Sequence, residues 1–210
     1  ITQLLEETGA PNVMLDMRMV DPTRFPNVVS ALRDAGLDPA RELVPVSPAA
    51  HYMMGGVVVD LHGRSTVPGL HAIGETSCTG LHGANRLASN SLSECLVWGA
   101  RAARSALDRP PLPDTSPTND RSPGPLTLPS RETRDAVWRL AGVMRTPEQL
   151  GELAQSEHPM ARWVAKSALH REEQRGAHWR RDAAGQDDAL TGLHTVIDPV
   201  TEQVRYERWD

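Results

Sequence analysis

Apolar residues recur at mixed spacings over the first half of this chain and at helical spacing over most of the second. Ile1 to Thr8 reads as the tail of a helix stopped by Gly9, Ala10 and Pro11. Val13 to Met17 alternates enough for a strand. Pro22 to Ala35 predicts a helix with Phe25, Val28, Val29 and Leu32 on one face and Gly36 just past its end. Leu43 to Pro48 should be extended, because residues before proline avoid the α region. Val57 to Val59 predicts a buried strand, Asp60 to Ser65 a hairpin turn around Gly63, and Leu70 to Ile73 a returning strand that ends at Gly74 and Glu75.

A long helix is expected from about Ser91 to Leu107. Asn90 or Ser91 can serve as its N-cap, and Ser91 with Glu94 forms the S-x-x-E capping box. Leu92, Cys95, Leu96, Gly99, Ala102, Ala103 and Ala106 recur at helical spacing and predict its buried stripe. Residues 109–129 are rich in proline, serine and threonine without periodicity, which marks a linker or strap. Beyond it, Ser130 can cap a helix bearing Ala136, Val137, Leu140 and Val143. Thr146-Pro147-Glu148-Gln149 opens another, with proline at its first position. A third runs from about Pro159 to Gln174, carrying Met160, Trp163, Val164, Ser167, Ala168 and Arg171, and is ended by Gly176. Thr195 to Asp198 and Val204 to Trp209 read as a hairpin.

Composition narrows the function classes. With 210 residues the chain can bury a sizeable core, and 23% charged against 39% hydrophobic residues suits a soluble globular protein. A net charge of −5 offers no basic field for nucleic acid or an anionic membrane. No apolar run approaches the ~20 residues that span a bilayer, and no signal peptide opens the chain. Cys78 and Cys95 fit no metal spacing or disulfide framework, so a reduced cytoplasmic setting is expected. His158, His178 and His194 are too scattered for a metal site. The chain does not begin with methionine, as a fragment, a processed chain or a trimmed one would not.

The chemistry is concentrated between His51 and Arg101. Arg86 lies among Gly83, Ala84, Asn85, Leu87 and Ala88, which solvate it weakly, and a guanidinium fixed there offers a bidentate fork to a carboxylate. The loop runs into a helix N-terminus, whose free N–H groups and dipole favour anionic or electron-rich ligands. The strings HYMMGGVVVD and GETSCTGLHGANRLASNSL, in this order and separation, closely resemble the C-terminal half of the FAD-binding domain in the succinate dehydrogenase and fumarate reductase flavoprotein family. Within it they look most like the L-aspartate oxidase branch, because A-S-N-S-L-x-E-C differs from the G-x-N-S-L-x-D form commoner among respiratory members.

The resemblance implies an α/β fold: the C-terminal half of an FAD-binding Rossmann-like domain, then a C-terminal helical-bundle domain with a terminal hairpin. It divides the chain into the end of a substrate-covering domain (1–42), part of the FAD-binding domain (43–108), a Pro-rich linker (109–129) and a helical domain (130–210). The implied cofactor is FAD and the implied activity is oxidation of L-aspartate to iminoaspartate. A hydride leaves Cα for the flavin and a proton goes to a base, with fumarate or oxygen as final acceptor. The product would serve NAD biosynthesis through quinolinate, with quinolinate synthase as a partner. His51 and Arg86 take the positions of the catalytic and substrate-binding pair. Ser89 matches a substrate-contacting serine, although pre-helix hydrogen bonding accounts for it almost as well. Glu75 takes the place of the carboxylate that holds the flavin's sugar-alcohol chain, while Ser91 and Leu92 present backbone N–H groups to the pyrimidine edge of the isoalloxazine. Residues 170–178 resemble the family's R-G-A-H signature, yet a salt-bridged helix end with a glycine cap explains most of it.

No G-x-G-x-x-G opens a strand–turn–helix unit in the chain. The family supplies that half, and an arginine that transfers protons, from a preceding part, so this chain is expected to be inactive alone. The stretch between Val143 and Arg171 is shorter than the family's. Two alternatives stay open: a succinate dehydrogenase or fumarate reductase flavoprotein, and a non-catalytic remnant kept as an interaction module.

Overall fold

The computed structural model describes residues 1–108 and 128–209, in two units, Ile1–Ala49 and Ala50–Asp210. The Pro-rich linker expected at 109–129 therefore lies almost wholly outside the described residues.

In the first unit, helix α1 (Thr2–Thr8) ends where Gly9 adopts φ 67°, the left-handed conformation glycine accepts without penalty. Strand β1 (Val13–Leu15) pairs antiparallel with β2 (Val44–Val46), Val13 facing Val46 and Leu15 facing Val44. The helix expected over 22–35 is split. A 3-10 turn at Pro22–Arg24, capped by the Asp21 carboxylate, is followed by α2 (Pro26–Asp34). Pro26 explains the break, since it disfavours helical geometry at Phe25 and cannot donate a helical N–H. Of the expected apolar face Val29 is buried, while Phe25 and Val28 are about half exposed.

The second unit begins with β3 (Val57–Val58), parallel to β4 (Ser77–Cys78). No strand forms over 70–73. The turn around Gly63 closes instead through Ala72 N–H to Gly63 O, Ser65 N–H to Leu70 O and one bridge between Arg64 and His71. Pro68 and Gly69 keep that return too short for a ladder. Gly74–Thr76 is a 3-10 turn, so Glu75 is delivered by a turn rather than by a strand end. Helix α3 spans Asn90–Leu107.

After the linker, α4 (Arg131–Ala141) and α5 (Pro147–Leu153) begin at the expected caps: Ser130 Oγ accepts from Thr133 N–H, and Thr146 Oγ1 from Gln149 N–H. Helix α6 covers Pro159–His170, four residues short of its expected end. Leu140, Ala141, Leu150, Leu153, Ala161, Ala165 and Ala168 make the core among these three helices, with Leu150 0% exposed. Antiparallel strands β5 (Leu193–Ile197) and β6 (Val204–Arg208) form the terminal hairpin. Helices and strands are thus mixed, and the strands pair only in twos among the described residues. No described helix is long and apolar enough to cross a membrane.

Candidate functional site

Helix α3 turns a different face inward from the one its leucines predict. The buried positions are Glu94, Trp98 and Ala102, four residues apart, whereas Leu92 and Leu96 are 68% and 76% exposed and Cys95, Ala103 and Ala106 are exposed too. Trp98 fixes this orientation by donating Nε1–H to Asp60 O. Ala102 lies where Gly63 passes so closely that a β-carbon on the glycine would sit 3.2 Å away. The capping box does not form. Residue Ser89 precedes the helix, its side chain caps nothing, and Glu94 faces the interior instead of returning to the helix start.

That interior glutamate organises the loop between β4 and α3. Its side chain is 1% exposed, and its two oxygens accept from Thr79 Oγ1–H at 2.6 Å and from His82 Nε2–H at 2.8 Å. A carboxylate so deeply buried persists only when its oxygens are satisfied, so Thr79 and His82 are bound in place. The His82 ring, itself 5% exposed, meets the Tyr52 ring edge-on at 5.8 Å and 86°. Tyr52 in turn carries Arg86, whose guanidinium carbon stands 4.1 Å from the ring centroid. Burial, with help from the Glu94 and Glu75 charges, pushes the Tyr52 phenol upward, which keeps it neutral beneath the cation.

Arg86 is held without being neutralised. Nη1 donates to Leu87 O at 3.3 Å, Nε is buried with no acceptor, and no carboxylate pairs with the group among the described residues. The cation–π contact holds the guanidinium over the ring and leaves hydrogen-bonding capacity for an incoming anion. His51 is exposed and immediately precedes Tyr52 in the chain. Glu75 joins the same segment: one carboxylate oxygen accepts from Met53 N–H at 3.0 Å, and the other has no partner among the described residues.

Ser89 adopts φ 62°, one of two described non-glycine residues in the left-handed region. Such backbone costs about 1–3 kcal/mol and clusters at ligand sites. Its carbonyl accepts from Leu92 N–H at 3.1 Å, so that N–H is already engaged, whereas Ser91 N–H has no acceptor among the described residues. The Ser89 hydroxyl likewise makes no capping bond among the described residues. Sequence reasoning missed Tyr52, Thr79, His82 and Glu94. The signal was the i, i+4, i+8 row of Trp98 and Ala102, which lands on Glu94 when extended toward the N-terminus. No group of three described His, Cys, Asp or Glu side chains could hold a metal ion.

Comparison with known proteins places these residues in a lineage. Residues 1–92 match the family model of an FAD binding domain, and residues 155–209 match that of the fumarate reductase flavoprotein C-terminal region. An L-aspartate oxidase of Streptomyces coelicolor is 38% identical over 94% of this chain and 42% of its own length. Another, of Rhodospirillum rubrum, is 42% identical over 83% of this chain and 71% of its own length. Among solved structures, a quinol-fumarate reductase with menaquinol molecules superposes with a TM-score of 0.76 at 27% identity, covering 100% of this chain and 48% of that one. The chain thus spans well under half of the first relative. It belongs to the L-aspartate oxidases of the succinate dehydrogenase and fumarate reductase flavoprotein family, whose cofactor is FAD.

Proposed function

We propose that this chain contributes the dicarboxylate-binding side of an FAD-dependent L-aspartate oxidase. One observation carries the reading: the Arg86 guanidinium stands over the Tyr52 ring, 4.1 Å from its centroid, with no carboxylate partner among the described residues. A fixed, uncompensated fork of this kind suits a substrate carboxylate. His51, one residue from that ring, would donate to the second carboxylate, and the Ser89 hydroxyl would add a third contact. Such orientation can contribute several kcal/mol of barrier lowering.

The residues present suit the ribityl and isoalloxazine end of FAD. Glu75 keeps one oxygen for sugar-alcohol hydroxyls, Ser91 offers an unengaged N–H at the start of α3, and Leu92 and Leu96 present apolar surface beside it. Bound there, FAD supplies the two-electron acceptor for converting L-aspartate to iminoaspartate. The dipole at the start of α3 would favour negative charge on the ring edge it faces. The phosphate-binding turn is not in this chain, so we assign residues 43–108 to one part of the FAD-binding domain, 1–42 to the end of the covering domain and 130–210 to the helical domain. In this reading the isolated chain neither retains FAD nor turns over. Fumarate or oxygen would be the acceptor, and quinolinate synthase would take the product toward NAD.

The likeness to a quinol-fumarate reductase favours one other reading, a succinate- or fumarate-specific flavoprotein. A family-length polypeptide containing this chain, purified with FAD and mixed anaerobically with each substrate, separates the two. Bleaching of the yellow chromophore by L-aspartate supports the oxidase. Bleaching by succinate alone replaces it with the respiratory reading, and bleaching by neither removes both.

A further inference from the structure

We propose that the turn Glu173–His178 is a positioning device for Arg86, pivoting on Gly176. This rests on the reading of Arg86 as the carboxylate-binding residue. The segment is not the glycine-capped helix end that its sequence suggests, because α6 has already stopped at His170 and the chain leaves in an extended conformation at Arg171. The residues after it form a tight turn pressed onto the loop that carries Arg86. Ala177 N–H donates to Ala84 O at 2.8 Å, two residues before the arginine. Gly176 has φ 56°, and a β-carbon there would stand 2.6 Å from that carbonyl oxygen and 3.0 Å from the Ala84 methyl. Only glycine satisfies both the conformation and the approach.

A positioning element has to be stiffer than the group it positions, and this one is. Arg175 and His178 exchange backbone bonds at 2.9 Å in both directions. Glu173, 0% exposed, accepts from Arg171 Nε, Arg175 Nε and Asp187 N–H at 2.7, 2.7 and 2.9 Å. His178 accepts from Arg145 through Nδ1 and donates to Arg171 O through Nε2, at 2.8 and 2.9 Å. Moving the turn would break these bonds and leave its buried charges unsatisfied.

A second contact from the same part of the chain brackets the loop at its other end. His194 and Trp209 stack at 3.8 Å and 4°. A β-carbon on Gly80 would lie 3.4 Å from the first ring and 3.5 Å from the second. The loop from Gly80 to Ala84 is therefore held from outside at both ends, and from inside by the bond between His82 and Glu94. Arg86 emerges directly from this clamp onto Tyr52, which leans on His82. Any shift at Ala84 is passed to the guanidinium because the intervening loop has no slack to absorb it.

The test uses the FAD-loaded, family-length polypeptide and, in parallel, this chain labelled with 15N-arginine. Gly176→Ala should retain flavin but raise the Kd for malonate, a dicarboxylate the flavin does not oxidise, read from the flavin absorbance shift, about 10- to 100-fold. It should also displace the Arg86 Nε–H resonance. Glu173→Gln loosens the same turn more gently and should move both readouts in the same direction by less, which covers a Gly176→Ala protein that fails to fold. Gly185→Ala, whose β-carbon meets nothing within 4 Å, should change neither. Leu150→Ala should lower the melting temperature with Kd and the Arg86 resonance unmoved. Kd within twofold of wild type in Gly176→Ala and Glu173→Gln, with the resonance in place, overturns the proposal. An equal loss of affinity in Leu150→Ala overturns it as well, by reducing the effect to stability. If the unmutated polypeptide binds no dicarboxylate, the reading of Arg86 falls, and the resonance alone decides whether Gly176 sets that side chain.

Discussion

Helices α3 and α6 carry apolar residues at the same helical spacing and put them in opposite places. In α6 the stripe Ala161, Ala165 and Ala168 is buried against α4 and α5, although of these only Ala168 is among the residues its spacing singles out and Met160 is 49% exposed. In α3 the leucines face outward while a glutamate, a tryptophan and an alanine face inward. Burying a leucine is worth roughly 1.5–3 kcal/mol, so a helix that exposes two and buries a carboxylate gives up stability by itself. The inward face is occupied by the Glu94–His82–Tyr52–Arg86 chain, and the outward face lies beside the proposed flavin residues. One helix is built to hold its lobe together; the other, in the proposed reading, is built around a ligand site.

Removing Arg86 should have the largest effect on this contrast. In the FAD-loaded polypeptide, Arg86→Ala should lower kcat/KM for L-aspartate about 10³-fold, equivalent to about 4 kcal/mol. Thermal unfolding should barely change, because the side chain's bonds inside the chain are one long contact to Leu87 O and one cation–π contact. Arg86→Lys should recover little, since an ammonium cannot present two parallel N–H groups. Steady-state kinetics and a melting curve check both. Loss of melting temperature in step with activity would make Arg86 structural and dissolve the difference between the two helices.

Leu150→Ala probes the other side. The residue is fully buried in the helical core, and its truncation should cost about 2–5 kcal/mol of unfolding free energy, measured by urea titration. Dicarboxylate affinity should stay within twofold at temperatures where the protein is folded. The two variants together form a crossed pair: binding lost with stability kept, and stability lost with binding kept.

How much of this was legible depends on the range of the interactions. The helix starts at Ser130 and Thr146, the stop at Gly9 and the terminal hairpin are local events, decided within about four residues, and the sequence announces them. The strand expected at 70–73 failed because Pro68 and Gly69 close the return after a single bridge. The inward face of α3 depends on Thr79, His82 and Asp60, 12 to 38 residues away. Helical spacing says which residues share a face, not which face finds partners at that distance. The motifs single out Arg86 and His51 as candidates, yet they do not reveal Tyr52, the ring on which the arginine rests, since nothing local distinguishes it from a packing aromatic. The end of α6 was missed for a related reason. Arg171 leaves the helix to reach Glu173, Leu190 O and Leu193 O, and a long-range set of bonds outweighs continued helical propensity.

A smaller effect should appear as a pH dependence of the helical lobe. Burial alone would raise the Glu173 carboxyl, but hydrogen bonds from Arg175, Asp187 N–H and Arg171 outweigh it and hold the group at about 2. Below its ordinary value of 4.5 the unfolded chain binds a proton that the folded chain refuses, so stability falls as pH drops. The contribution is complete above 4.5 and is lost as the pH falls toward about 2. Urea unfolding between pH 5 and pH 2 should show this decline in the wild type and a shallower one in Glu173→Gln. Parallel curves would mean that the buried carboxylate is not what the acid attacks.

The smallest expected change tests the exposed face of α3 most directly. In this chain alone, Leu96→Ser should alter unfolding by less than about 0.5 kcal/mol, because a side chain 76% exposed has little contact to lose. In the family-length polypeptide the same substitution should weaken flavin retention, measured as the ratio of visible to ultraviolet absorbance after gel filtration. Leu96 would there be covered, and a hydroxyl would stand where an apolar surface is needed. A stability loss in this chain would mean that the outward leucines are already packed, and α3 would then differ from α6 only in degree. Unchanged flavin retention would detach the exposed leucines from the cofactor and leave Glu75 and the Ser91 N–H to carry that half of the site. A split outcome, with no effect here and a clear effect there, requires that the face be shaped for something outside these 210 residues.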